Sequence, residues 1–200
     1  MKVGSWNIRG VSRPFKQKEL RSWIQKNHLS MVGVLETRVQ ESSSPQILNS
    51  IIPSWQYSSN YTHHSNGRIW ILWDTSVFDA YPLMTTDQLM HLEVVIIQKQ
   101  IKVFITYCYG MNCYIQRRNL WHSLGDIATG MGSAPWLTLG DFNVVRYSSE
   151  KLLGDQSWPN YMEEFNDCCR VSSLDDLRYS GQLTTWSKGS GEGFKARKLN

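Results

Sequence analysis

Carboxylates and carboxamides close three separate apolar runs of this chain. Asp141 and Asn143 stand two apart in LTLGDFNVV, Glu36 closes MVGVLET, and Asn7 closes KVGSWNI. Side chains at the carboxyl ends of strands project into the crevice where α/β proteins bind ligands. Hard divalent cations such as Mg²⁺ need oxygen donors, and usually take one or two carboxylates while water and substrate phosphate complete the octahedron. Asn7, Glu36 and Asp141 meet that need. For Asp141 and Asn143 taken alone, an Asx turn closing the strand explains the pair equally well.

Bringing three strand ends together requires an alternation of strands and helices, and the hydrophobic periodicity supplies one. Residues 2–8 alternate Val3, Ser5 and Asn7 with Gly4, Trp6 and Ile8, the period of a strand. Residues 13–27 carry Leu20, Trp23 and Ile24 at helical spacing, and 31–35 read as a buried strand. A second helix is expected near 45–52. Strands are expected at 55–61, 68–73, 92–98 and 101–109, the last two forming a hairpin around Lys99-Gln100. Leu120, Leu124, Ile127 and Met131 mark a third helix, 136–139 a short strand, Tyr161 to Cys169 a fourth helix, and 181–187 a last strand before a glycine-rich turn. The chain is then expected to stop before another strand is written.

The composition fits a soluble globular protein. With 41% hydrophobic and 19% charged residues, 200 residues suffice to bury about 70% of the unfolded surface as one domain, 1–200. No run of about 18 apolar residues occurs and the start has no secretory layout, so neither membrane spanning nor secretion is expected. Cys108, Cys113, Cys168 and Cys169 form no CxxC pair and read as reduced thiols. The net charge of +4 is uneven: residues 1–40 hold eight basic and two acidic side chains, 41–187 nine and fourteen, and 188–200 four and one. Basic ends around an acidic middle suit a polyanion held over a metal site, and scattered solvated charge gives the same counts.

Five segments in fixed order, SWNIRG at 5–10, LET at 35–37, TYCYGMN at 106–112, LGDFNVV at 139–145 and TTWSKG at 184–189, then GEGFKARKLN, resemble the endonuclease/exonuclease/phosphatase superfamily. The branch they are most similar to is the endonuclease domain of plant non-LTR (LINE-type) retrotransposons. The resemblance implies a two-sheet α/β sandwich like that of deoxyribonuclease and apurinic endonucleases. It also implies Mg²⁺, with Mn²⁺ as an alternative, and double-stranded DNA contacted through its phosphate backbone. By the same resemblance Glu36 matches the principal metal ligand and Asn7 its partner. Asp141 matches the residue that orients or deprotonates water, Asn143 a phosphate-binding group, and Tyr109 and Asn112 the pair beside the scissile phosphate. Thr185 and Trp186 match a Thr-Trp that braces the site. Such roles suit phosphodiester hydrolysis, which needs a cation, an aligned water and donors for developing charge. Tyr109 and Trp186 are also ordinary core aromatics, and the other tryptophans read as packing.

The chain departs from the family pattern in two places. Arg9 stands where apurinic endonucleases keep an aspartate, and is free to meet a DNA phosphate instead. Asn200 follows Leu199 where the family has Arg-Leu-Asp-Arg, and the later Ser-Asp-His is not in this sequence. The fold is therefore expected to lack its final strands, and activity to be impaired, since an oriented histidine contributes about 10²–10⁴ in rate. His28, His63, His64, His91 and His122 match no motif, and His63-His64 beside Asn66-Gly67 reads as a solvated loop tip. Two readings follow: a Mg²⁺-dependent DNA endonuclease domain of retroelement origin, which would act in the nucleus, or a non-catalytic relic with at most weak nucleic-acid binding. A phosphoesterase for lipid or inositol phosphates is a third class.

Overall fold

The computed structural model describes residues 1–152, 159–177, 186–188 and 195–197. Its chain forms two compact units, Met1–Tyr109 with Ala134–Asp141, and Gly110–Ser133 with Phe142–Asn200.

The first unit holds two four-stranded sheets. In one the order is β1 (Val3–Asn7), β2 (Met31–Leu35), β4 (Ile69–Trp73), β3 (Gln56–Ser59), with β1 and β2 parallel and the other pairs antiparallel. In the other it is β5 (Phe78–Thr85), β6 (Leu89–Ile96), β7 (Ile101–Tyr109), β8 (Trp136–Asp141), antiparallel except for parallel β7 and β8. Period-2 alternation sends Met31, Leu35, Ile69 and Ile71 of the first sheet into one core with Phe78, Met90, Leu92, Val94, Ile105 and Tyr107 of the second. The alternate residues Val32, Val34, Trp70 and Leu72 face away from that core. They pack instead against Leu20 and Ile24 of α1 (Pro14–Asn27) and Leu48 and Ile51 of α2 (Ser44–Ile51). The result is an α/β sandwich of two mixed sheets.

Gly33 sets the closeness of the sheets. A Cβ there would lie 2.1 Å from the Tyr107 ring, so the fully buried Tyr107 lies directly over the β2 backbone. Only hydrogen at that position admits the ring.

The second unit contains α3 (Tyr114–Met131) and α4 (Asn160–Val171). Trp121 of α3 packs on Phe165 of α4 at 4.9 Å between ring centroids, and Phe142 on Phe165 at 5.2 Å. At the rim of that contact Arg118 forks onto Glu164 with bonds of 2.6–3.1 Å. β9 (Lys151–Leu152), β10 (Trp186–Lys188) and β11 (Lys195–Arg197) form an antiparallel sheet in the order β10-β11-β9.

Two sequence expectations need correction. β5 was not expected, because Pro82 and the exposed Tyr81 and Leu83 interrupt its pattern. Its place at the sheet edge tolerates a proline, and the register with β6 shifts between Pro82 and Met84. A strand does follow the glycine-rich segment, since Lys195–Arg197 pairs with both β10 and β9. The expected strand at 181–187 falls partly outside the described residues, and the observed one is Trp186–Lys188. All four cysteines are free. Among the described residues no helix is long and apolar enough to cross a membrane.

Candidate active site

Asn7 and Asp141 are the last residues of β1 and β8, strands of different sheets 134 positions apart. The Asn7 Nδ2 donates to Asp141 Oδ2 over 2.8 Å, fastening the two sheets at this rim. In-register pairing sets Leu35 beside Asn7 and Tyr109 beside Asp141. Glu36, one residue beyond β2, is thereby carried to the same rim, near enough for its charge to act on the Tyr109 phenol. Arg38 forms an ion pair with that carboxylate from the exposed side. The Arg68 guanidinium lies over the Tyr109 ring, 5.8 Å from its centroid, and the Arg68 carbonyl accepts from the Glu36 amide at 2.6 Å.

Burial, followed by the Glu36 charge, pushes the Tyr109 phenol up to about 12; Arg68 opposes the shift and Asp141 adds to it. Tyr109 is therefore protonated throughout the neutral range. It can donate a hydrogen bond to developing negative charge and is not itself a base.

The backbone around the rim is strained. Arg9, Glu36 and Arg38 have φ of 54°, 55° and 53°, a left-handed region that non-glycine residues seldom occupy. Such conformations cost about 1–3 kcal/mol each and persist where surrounding structure enforces them, commonly at functional sites. Gly140, just before Asp141, has φ of 149°, and a Cβ there would lie 2.0 Å from the Cys108 carbonyl oxygen. Glycine lets the end of β8 approach β7 this closely.

Thus Asn7, Glu36, Tyr109 and Asp141 come together in the first unit. Arg9 is exposed beside them, its backbone amide donating to Asn7 Oδ1 at 3.2 Å. Asn143 belongs to the second unit, where its Nδ2 donates to the Gly110 carbonyl at 2.7 Å. Asn112 is exposed in the same unit. Thr185 lies outside the described residues. Trp186 begins β10, and its side chain lies outside the description. Sequence reasoning missed Arg38 and Arg68. Arg38 is only two positions from Glu36, but Arg68 is brought in by the pairing of Ile69 with Leu35, which no local pattern shows. The His63-His64 expectation holds only for His63. His64 is half-buried, and burial, then Arg68, lowers its imidazole pKa.

Among the described residues no group of three or more His, Cys, Asp or Glu is placed to hold a metal. The donor set at the rim is instead two carboxylates and one carboxamide. This excludes a soft-ligand centre and fits Mg²⁺ or Mn²⁺, which accept few protein oxygens and rely on water and phosphate for the rest.

The family described as endonuclease/exonuclease/phosphatase matches residues 4–191. No match is found among curated protein sequences. Among solved structures, the endonuclease domain of TRAS1, a telomere-specific non-LTR retrotransposon, superposes with a TM-score of 0.72 at 11% identity, covering 98% of this chain and 80% of that one. The AP endonuclease LMAP from Leishmania major superposes with a TM-score of 0.62 at 12% identity, covering 84% and 65%. ANGEL2, a 2',3'-cyclic phosphatase, reaches 0.52 at 15% identity, covering 74% and 57%. At such identities the likeness is one of fold.

Proposed function

Because this chain belongs to the endonuclease/exonuclease/phosphatase family, we propose that it hydrolyses phosphodiester bonds of double-stranded DNA, aided by Mg²⁺ or Mn²⁺, at the Asn7, Glu36, Tyr109 and Asp141 rim. The motifs SWNIRG and GDFN, with a retrotransposon endonuclease domain among the similar folds, support a retroelement origin. One observation carries the reading: four polar side chains from strands far apart in sequence share one rim, where Asn7 is hydrogen-bonded to Asp141 and Tyr109, in register beside Asp141, lies in the field of both Glu36 and Asp141.

Glu36 and the Asn7 carboxamide oxygen would hold the cation, which would supply stabilisation of charge on a non-bridging phosphate oxygen. Asp141, fixed by Asn7, aligns a water and accepts its proton. Tyr109 donates to the oxygen on which charge develops. Asn112 and Asn143 keep the phosphate-contacting roles of the motifs that contain them. Arg9 meets a backbone phosphate as a sequence-independent contact, and Thr185 and Trp186 keep the role of the Thr-Trp motif they match. Mn²⁺ titration by calorimetry tests the metal assignment. Glu36→Gln should lose at least about tenfold in affinity, the cost of one of few charged ligands, with the melting temperature unchanged. Equal affinity in both proteins removes Glu36 from the metal site.

A further inference from the structure

Within the second unit, one buried arginine joins the two segments that carry Asn112 and Asn143. Arg117 is 3% exposed. Its Nη1 donates to the Met111 carbonyl at 2.9 Å and to the Asn143 carbonyl at 2.7 Å, so one nitrogen bridges the two chain segments. The Asn143 Nδ2 returns a bond of 2.7 Å to the Gly110 carbonyl. A closed ring results, from Arg117 through Asn143 and Gly110 to Met111 and back. The segments are also in direct contact: a Cβ on Gly110 would lie 2.5 Å from the Phe142 carbonyl oxygen and 3.0 Å from Arg117 Cδ. The guanidinium lies 6.0 Å from the centre of the Tyr161 ring of α4, and Tyr161 stacks on Tyr114 at 5.3 Å.

Carbonyls at 110, 111 and 143 with no such donor would be drawn to water, and Asn143, with φ of 52°, would have less to hold it in the left-handed region. Charge-assisted bonds to carbonyls are about twice as strong as neutral ones, so a guanidinium suits the task better than an amide. We propose that Arg117 is a positioning residue that sets the spacing of Asn112 and Asn143 and thereby the placement of the phosphate they contact, without touching substrate itself. The inference rests on the proposed role of those two asparagines.

Arg117→Lys keeps the charge but ends one C–N bond short, about 1.3 Å, too far to hold both carbonyls. In plasmid nicking we expect kcat to fall about 10- to 100-fold, as displacements near 1 Å do, with KM within about twofold. Gly110→Ala, which pushes the segments apart while keeping the Arg117 guanidinium in the chain, should reproduce this if Arg117→Lys fails to fold. Independently of turnover, NMR exchange of the Asn143 side-chain amide should be at least about tenfold faster in Arg117→Lys, because its bond to Gly110 is released. Arg117→Lys nicking at the wild-type rate while Asn143→Ala is slow would overturn the proposal. If Asn112→Ala and Asn143→Ala both nick normally, the role assigned to the asparagines fails instead. The exchange measurement then decides alone: an Asn143 amide still protected in Arg117→Lys overturns the clamp.

Discussion

Replacing Asn7 by aspartate exchanges one side-chain nitrogen for oxygen and tests the contact that joins the two sheets. In the wild-type protein Nδ2 donates to Asp141 Oδ2 over 2.8 Å. In Asn7→Asp two carboxylate oxygens face each other at that separation. At an effective dielectric of about 20, unit charges 2.8 Å apart repel by about 6 kcal/mol. The pair avoids this by sharing one proton. Holding a proton on a carboxyl whose unfolded pKa is about 3.9 costs about 4.2 kcal/mol at pH 7 and about 1.5 kcal/mol at pH 5. Those values bound the loss of stability, and their difference, about 2.7 kcal/mol, is its pH dependence. The sign follows from the folded pair binding its proton more tightly than the unfolded chain. Between pH 5 and pH 7 the folded pair keeps its proton while the unfolded chain has released it, so stability falls as pH rises. For a chain of this size 1 kcal/mol moves Tm by about 2–4 °C, so the deficit should be up to about 8–16 °C at pH 7 and about 3–6 °C at pH 5. About 10 mM Mg²⁺ at pH 7 should restore much of the loss, because a cation replaces the shared proton and binds only the folded state. Thermal melts at both pH values, with Mg²⁺ or with EDTA, read all of this. An equal deficit at pH 5 and pH 7 would refute the contact, and a deficit unmoved by Mg²⁺ would place the cation elsewhere.

Two further outcomes follow. Gly33→Ala sets a methyl group 2.1 Å from the Tyr107 ring and should cost at least about 3 kcal/mol, since neither sheet can yield without disturbing the shared core; a melt within 1 °C of wild type, using about 2–4 °C per kcal/mol, would contradict the packing. With the Tyr109 phenol raised to about 12 in the folded state against 10.0 unfolded, its contribution is complete below about pH 10 and lost as pH rises toward 12, so the stability of Tyr109→Phe should fall less steeply than wild type over that range. Parallel slopes would mean that Tyr109 is not enclosed as described.

Most elements could be read from periodicity because burial on one or both faces leaves a pattern. The helix stripe of Leu120, Leu124 and Ile127 falls inside α3, and the alternation of residues 2–8 contains β1. β5 escaped because an edge strand needs neither continuous apolar residues nor freedom from proline. At the rim, Asn7, Glu36 and Asp141 were legible as strand ends, a local feature. The bond between Asn7 and Asp141 was not, because it depends on how two sheets face one another across the core. The same holds for Tyr107 over Gly33 and Arg68 over Tyr109. The left-handed backbone at Arg9, Glu36 and Arg38 had no glycine to announce it.

The most direct test of the account is the rate at which the chain nicks supercoiled plasmid, measured for wild type and Asp141→Ala in Mg²⁺ and in EDTA. We expect Mg²⁺-dependent nicking by the wild-type protein, abolished by EDTA and slowed at least about 10²-fold by Asp141→Ala, the usual size of a general-base contribution. Nicking that persists in EDTA, or that Asp141→Ala leaves at the wild-type rate, would contradict a metal-assisted site at this rim.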